Sequence, residues 1–234
     1  MDLETTARTD GRPRAGRANR RALGAGVLAS VPVLLAAAFL YAPEDAKQGP
    51  AQRIFYIHVP SAWIGFLAFG VVFAASIAFL ASGARRYDDL AAASAEVGVL
   101  FTTGVLVTGP LWGRPVWGVY WTWDPRLTSF LMLWLLYLSY LVLRGYVPDP
   151  ARRARFSAVL GIVGFIDVPI VYLSVRWWRS EHPTQLVFER GGLPPQMLVA
   201  LLVGLAAFTL LYLYLLSVRL RVERLRRAEE EVAS

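Results

Sequence analysis

The sequence predicts an all-α fold, a polytopic six-transmembrane-helix bundle with short outward-facing loops. Three observations carry that prediction. Of the 234 residues, 56% are hydrophobic. The apolar residues fall in long blocks rather than at the spacing of an amphipathic soluble fold, and arginines cluster between the blocks. A bilayer core of about 30 Å needs about 20 apolar residues in helical form. Six stretches meet that length, near 22–42, 61–82, 90–110, 127–147, 157–175 and 194–217.

The first block follows Arg20 and Arg21, as a secretory signal would. Its apolar run exceeds the usual signal core, however, and Tyr41-Ala42-Pro43 is a poor cleavage context, so it reads as an uncleaved span. Pro148-Asp149-Pro150 breaks the chain between the fourth and fifth spans, and Pro194-Pro195 opens the sixth. Residues 1–21 read as an Arg-rich disordered tail, 22–217 as the membrane domain, and 218–234 as a second tail whose Arg/Glu stretch extends the last span as helix. No internal repeat stands out, which removes the simplest sequence argument for an inverted-repeat transporter.

Orientation follows from the basic residues, because Lys and Arg near span ends are retained on the cytoplasmic side. With six spans both termini share a side, and 17 of the 24 Lys and Arg residues fall on it, against 7 on the other. Both termini are therefore expected in the cytoplasm, with loops 43–60, 111–126 and 176–193 facing outward. The formal charge of +7 thus reads as membrane orientation rather than a nucleic-acid surface. With no cysteine, the chain supplies no disulfide, thiolate metal site, iron–sulfur cluster or thiol nucleophile, and any thiol step belongs to a partner.

The chain's two histidines, His58 and His182, both fall in outward loops near a membrane boundary. Singly, each reads more readily as an interfacial residue than as a ligand. Together they invite a shared role, since two neutral imidazoles on opposite faces complete six-coordination of haem iron. The loop between spans three and four holds four of the eight tryptophans, Trp112, Trp117, Trp121 and Trp123. An aromatic belt accounts for tryptophans at the interface but would spread them over both faces, whereas the cytoplasmic connections contain none. Trp117, Trp121 and, less well, Trp123 are expected along one side of a short helix, with Gly113 and Gly118 leaving gaps for a flat ligand.

Arg114 and Arg126 are cations suited to propionates, with pairing to Asp124 or a place at the start of span four as alternatives for Arg126. Asp124, ahead of Pro125, reads as a helix N-cap before it reads as chemistry. Arg176-Trp177-Trp178-Arg179 precedes His182, and Trp63 follows His58 by about one turn, so all three outward loops contribute groups compatible with the same ligand; Trp63 and Trp177 singly also fit a belt. Two acids lie in or near spans, where they are costly. Glu96 is expected to snorkel to water. Asp167, next to Val168-Pro169, is expected to hold a helix break by hydrogen bonding, with pairing to an arginine or proton carriage as the other readings.

These motifs resemble the tryptophan-rich-motif haem-handling family, defined by a Trp-Gly-x-x-Trp-x-Trp-Asp core, and within it the C component of the cytochrome c maturation system, the CcmC family. The resemblance rests on Trp117-Gly118-Val119-Tyr120-Trp121-Thr122-Trp123-Asp124 with its flanks from Trp112 to Ser129. It also rests on Tyr56-Ile57-His58-Val59-Pro60-Ser61-Ala62-Trp63, on Asp167-Val168-Pro169-Ile170-Val171, and on Trp177-Trp178 ahead of His182-Pro183. Only the arginine-rich tails lie outside it.

The resemblance implies a six-span protein of the bacterial cytoplasmic (inner) membrane. It would bind haem (b-type, transiently) at the external face, with His58 and His182 as axial ligands and the tryptophan-rich loop as platform. Implied partners are a membrane-anchored haem chaperone, ATP-binding transporter subunits, a small single-span subunit and the lipid bilayer, and no nucleic acid. The chain itself would carry out no covalent catalytic step. Rival readings are a membrane b-type electron-transfer subunit, a haem transporter proper, and an assembly scaffold without ligand. The first would place histidines within spans, and the second has no nucleotide-binding motif here to power it.

Overall fold

The computed structural model describes residues 12–178, 182 and 192–233. Arg179 and Pro183, named above, lie outside the described residues, as do Arg8 and Arg190 among the basic residues that set the orientation. Among the described residues, seven α-helices follow one another: α1 (Arg12–Ala36), α2 (Phe55–Ser82), α3 (Arg85–Trp117), α4 (Pro125–Tyr146), α5 (Pro150–Phe165), α6 (Asp167–Trp177) and α7 (Pro195–Ala233). A π-helical turn, Ala37–Tyr41, closes α1, and a 3₁₀ turn, Pro50–Ile54, leads into α2. The helices α5 and α6 together make the fifth crossing, so six segments among the described residues are long and apolar enough to span a membrane.

Several helices outrun the apolar blocks that announced them. The chain is helical from Arg12, within the stretch expected as a disordered tail, because alanine and arginine are good helix formers. At the opposite ends, α2 reaches back to Phe55 and α3 runs on to Trp117. His58 and Trp112 to Trp117 are thus helical residues rather than loop residues. Helix starts follow local chemistry: Asp149 caps α5 by accepting from the Arg152 N–H at 2.6 Å, with Pro150 as first helical residue.

The break between α5 and α6 falls at Ile166. Pro169 supplies the physical cause, since it offers no N–H to the Phe165 carbonyl one turn earlier. Asp167 does not hold the break as expected. Its side chain caps nothing, and its buried Oδ2 has no hydrogen-bond partner among the described residues.

The core forms around α2, which packs most extensively on α3 and also against α5 and α7. Phe69 of α2 stacks on Tyr137 of α4, with ring centroids 3.5 Å apart. Tyr137 donates to the Gly161 carbonyl of α5 at 3.1 Å, and Val72 and Val171 complete the same cluster. Without a hydrophobic drive between helices in lipid, close backbone approach and interhelical hydrogen bonds carry association. Gly65 and Gly98 provide that approach: a Cβ at Gly98 would meet Phe69 Cε1 at 2.6 Å, and one at Gly65 would meet Thr102 Cγ2 at 2.6 Å. Ser94 of α3 donates to the Ala68 carbonyl and lies 2.9 Å from the Tyr212 hydroxyl of α7.

Ion pairs tie the helices at the arginine-rich end. Arg144 forks onto Asp88, Arg227 meets Asp89, and Arg219 meets Glu96, so Glu96 is paired across helices rather than simply snorkelled. At the other end stand the start of α2, the end of α3, the start of α4, the end of α6 and the start of α7. The site residues gather there.

Gly98→Ala is predicted to lower the melting temperature in detergent, since Phe69, held against Tyr137, cannot retreat; overpacking of this kind costs about 1–3 kcal/mol. Gly104→Ala on the same helix meets nothing within 4 Å and gains helix propensity. It is predicted to leave the melting temperature unchanged or higher, which a thermal-shift comparison of the two variants checks.

Candidate functional site

The first connection is folded rather than slack. Asp45 accepts from the backbone N–H groups of Lys47 and Gln48, and Gly49, at φ +55°, takes a left-handed turn that glycine adopts without penalty. The turn aims Gln48 at α3, where its Oε1 accepts the Trp112 indole N–H at 2.9 Å. Nothing in the sequence singled out Gln48.

His58 lies in the first turns of α2 and faces α3. Its Nδ1 is 2.9 Å from the Thr108 hydroxyl. The Trp112 ring, one turn beyond Thr108, meets the imidazole edge to face at 5.6 Å between centroids. Pro60 sits two residues on, and Gly204 of α7 lets that helix approach the stretch: a Cβ there would lie 3.0 Å from the Tyr56 carbonyl oxygen and 3.1 Å from Pro60 Cγ.

The end of α3 is set by Gly118, left-handed at φ +79°, whose N–H bonds the Arg114 carbonyl at 3.0 Å. Trp121 and Trp123 therefore do not continue a helical face with Trp117, as the spacing suggested. They lie in an irregular segment, ring to ring at 5.6 Å. Trp123 itself has φ +49°, a conformation that costs a non-glycine residue of order 1–3 kcal/mol, and the residue is 71% exposed. Arg114 is engaged locally, donating to the Gly118 carbonyl and lying over the Tyr120 ring. Arg126 is the better-placed cation, since Asp124 and His58 both lie within its electrostatic reach.

Asp124 caps α4, its Oδ1 accepting the Leu127 N–H at 2.9 Å. Its Oδ2 also stands 3.1 Å from His182 Nδ1, in a contact where the carboxylate is 7% exposed and the imidazole 20%. The expectation of capping rather than chemistry thus describes one oxygen only. Trp117 meets the His182 ring edge to face at 4.9 Å. His182 and Arg126 both stand close enough to His58 to act on it electrostatically. Trp177 and Trp178 pair edge to face with each other and, like Trp63, remain more than half exposed, as interfacial belt residues do.

The chemistry of this end suits a flat, anionic, metal-bearing ligand. Both imidazoles engage a partner through Nδ1, and a histidine held in this way binds metals through its other ring nitrogen. Three buried donor-bearing atoms, the Trp121 Nε1 and the Thr122 and Thr128 hydroxyls, have no partner among the described residues, and all sit within four residues of Asp124. Such groups are costly unless something accepts from them. The cavity of about 490 Å³ at the arginine-rich end is a poorer candidate, because its lining acids Asp88, Asp89, Glu96 and Glu223 are already paired with arginines.

The family described as Heme exporter protein C matches residues 14–233. Heme exporter protein C of Bradyrhizobium diazoefficiens is 45% identical to this chain over 206 residues, 86% of this chain and 78% of that protein. Heme exporter protein C of Escherichia coli K12 is 34% identical over 183 residues, 78% of this chain and 74% of that protein. A putative cytochrome c biosynthesis ccmC-like mitochondrial protein of Marchantia polymorpha is 35% identical over 168 residues, 71% of each chain.

The two oxygens of Asp124 can be separated by substitution. Asp124→Ala removes cap and histidine partner together, and the lost cap alone is predicted to cost about 1 kcal/mol of stability. Asp124→Asn can still cap, so its melting temperature in thermal unfolding should stay closer to that of the unsubstituted protein.

Proposed function

This chain belongs to the Heme exporter protein C family, and we propose that it holds haem between His58 and His182 and presents it to a membrane-anchored haem chaperone for c-type cytochrome biogenesis. The observation that carries this reading is the pair of imidazoles at one end of the bundle, each oriented through Nδ1. A neutral imidazole is a strong ligand for haem iron, and a pair of them makes it six-coordinate.

The surrounding residues supply what the rest of the porphyrin requires. Trp112 and Trp117 flank the two imidazoles and fix their planes. Trp121 and Trp123 line the segment leading to Asp124, with Trp123 turned outward as an aromatic face. Arg126, with the unpartnered Trp121 N–H and the Thr122 and Thr128 hydroxyls, would hold the propionates. Arg114, bound to its own loop, shapes the platform. Trp63, Trp177 and Trp178 anchor the same end in the interface.

The absence of cysteine fits a b-type haem held without a covalent bond and released to a partner, the chain carrying out no covalent catalytic step itself. ATP-binding transporter subunits and a small single-span subunit are the further partners of this reading. The chain is a multi-pass membrane protein with six candidate spans. The arginine asymmetry supports both termini in the cytoplasm and a haem end facing outward from the bacterial cytoplasmic membrane.

In detergent-purified protein, His58→Ala and His182→Ala are each predicted to abolish the low-spin haem spectrum of the unsubstituted protein. An unchanged Soret band and unchanged haem content in both variants would sink the ligand assignment.

A further inference from the structure

We propose that Thr108 is a positioning residue for His58, and that it makes the two axial ligands unequal, His58 the weaker and His182 the stronger. The inference rests on the haem reading above. Thr108 Oγ1 lies 2.7 Å from the Gly104 carbonyl, one turn back along α3, and 2.9 Å from His58 Nδ1. A hydroxyl has one proton. That proton goes to the carbonyl, the usual back-bond of a threonine inside a helix. The oxygen then has only lone pairs for His58, so Nδ1 must carry the hydrogen and donate.

This settles the tautomer: Nδ1 carries the hydrogen, and Nε2, across the ring, is unprotonated. The ring plane is held from a second side by Trp112, whose own N–H is fixed by Gln48. One face of α3, residues 108 and 112, therefore grips the imidazole. His182 is held through the same nitrogen, but by a carboxylate. Hydrogen bonds to an ionised acceptor are roughly twice as strong as neutral ones, and a carboxylate partner raises the basicity of a metal-bound imidazole. The threonine oxygen is neutral, so it gives less. Two ligands of unequal strength suit a protein that must let haem go, because opening the iron–His58 bond first leaves haem tethered by His182 while a partner approaches.

The test compares Thr108→Val, which keeps the shape and removes the acceptor, with Thr108→Ser, which keeps it. Haem-loaded full-length protein is examined for spin state, for midpoint potential and for the rate of haem loss to excess apomyoglobin. Loss of an outer-shell partner typically weakens metal binding by about 10–100-fold. Thr108→Val is accordingly expected to lose haem about 10-fold faster, with a high-spin fraction and a shifted potential, while its haem-free melting temperature is unchanged. Thr108→Ser is expected to behave as the unsubstituted protein, and on a His58→Ala background Thr108→Val should have no further effect. Inequality predicts that His58→Ala retains more haem, in high-spin form, than His182→Ala. Should Thr108→Val destabilise the haem-free protein, Thr108→Ala serves as the second acceptor-free variant.

Unaltered spin state, potential and haem loss in a folded acceptor-free variant would overturn the role of Thr108. Equal haem retention by the two histidine variants would overturn the inequality. Low-spin haem surviving in both His58→Ala and His182→Ala would instead overturn the haem reading itself.

Discussion

The Asp124 carboxylate meets two demands with two oxygens. One starts α4 by accepting the Leu127 N–H, and the other holds the His182 imidazole. A single buried anion thereby couples the place where a span begins to the orientation of a residue 58 positions further along the chain. The residues leading to it are arranged to deliver it: Gly118 stops α3 with a left-handed turn, Arg114 closes that turn, and Trp123 accepts a costly backbone conformation just before the cap. Strain of this kind persists only where the surroundings over-determine it. Here the cap, Pro125 and the His182 contact act together on the next residue.

The second imidazole depends on the oldest device of membrane helix packing. Glycines at 65 and 98 draw α2 and α3 close, with Phe69 locked on Tyr137 at the seam. Because both helices continue beyond their apolar blocks, that pairing is carried to the end of the bundle, where Thr108 and Trp112 of one helix meet His58 of the other. Ion pairs at the opposite end, Arg144 with Asp88 and Arg227 with Asp89, restrain the same helix α3. The site is thus set on rigid helical walls, with the irregular segment from Gly118 to Asp124 filling one side.

Much of this was legible in the residues because its causes are local. Six apolar blocks, the prolines at 150 and 195 and the Asp124-Pro125 pair each act through neighbours in sequence, and α4, α5 and α7 begin at those prolines. The histidines and the Trp-rich segment were legible as types in one region. The helical state of His58 was not, since composition marks the apolar core of a span and not the amphipathic turns that extend it. Nor was the shape of residues 117–123: helical spacing suggested a shared face, but a glycine able to adopt positive φ ended the helix first. Gln48 and Thr108 carried no signal at all. Their roles depend on contacts across 64 and 50 positions, and polar side chains of those types are common everywhere. Asp167 remained conspicuous for the wrong reason, because the proline beside it, not its carboxylate, accounts for the helix break.

The central claim is that two imidazoles, each anchored through Nδ1, meet one haem iron through Nε2. Electron paramagnetic resonance of the ferric, haem-loaded protein, with its histidines labelled with ¹⁵N on the ring, tests it most directly. The account predicts a low-spin signal with hyperfine coupling to two histidine nitrogens. A high-spin signal, or coupling to a single histidine nitrogen, would contradict it.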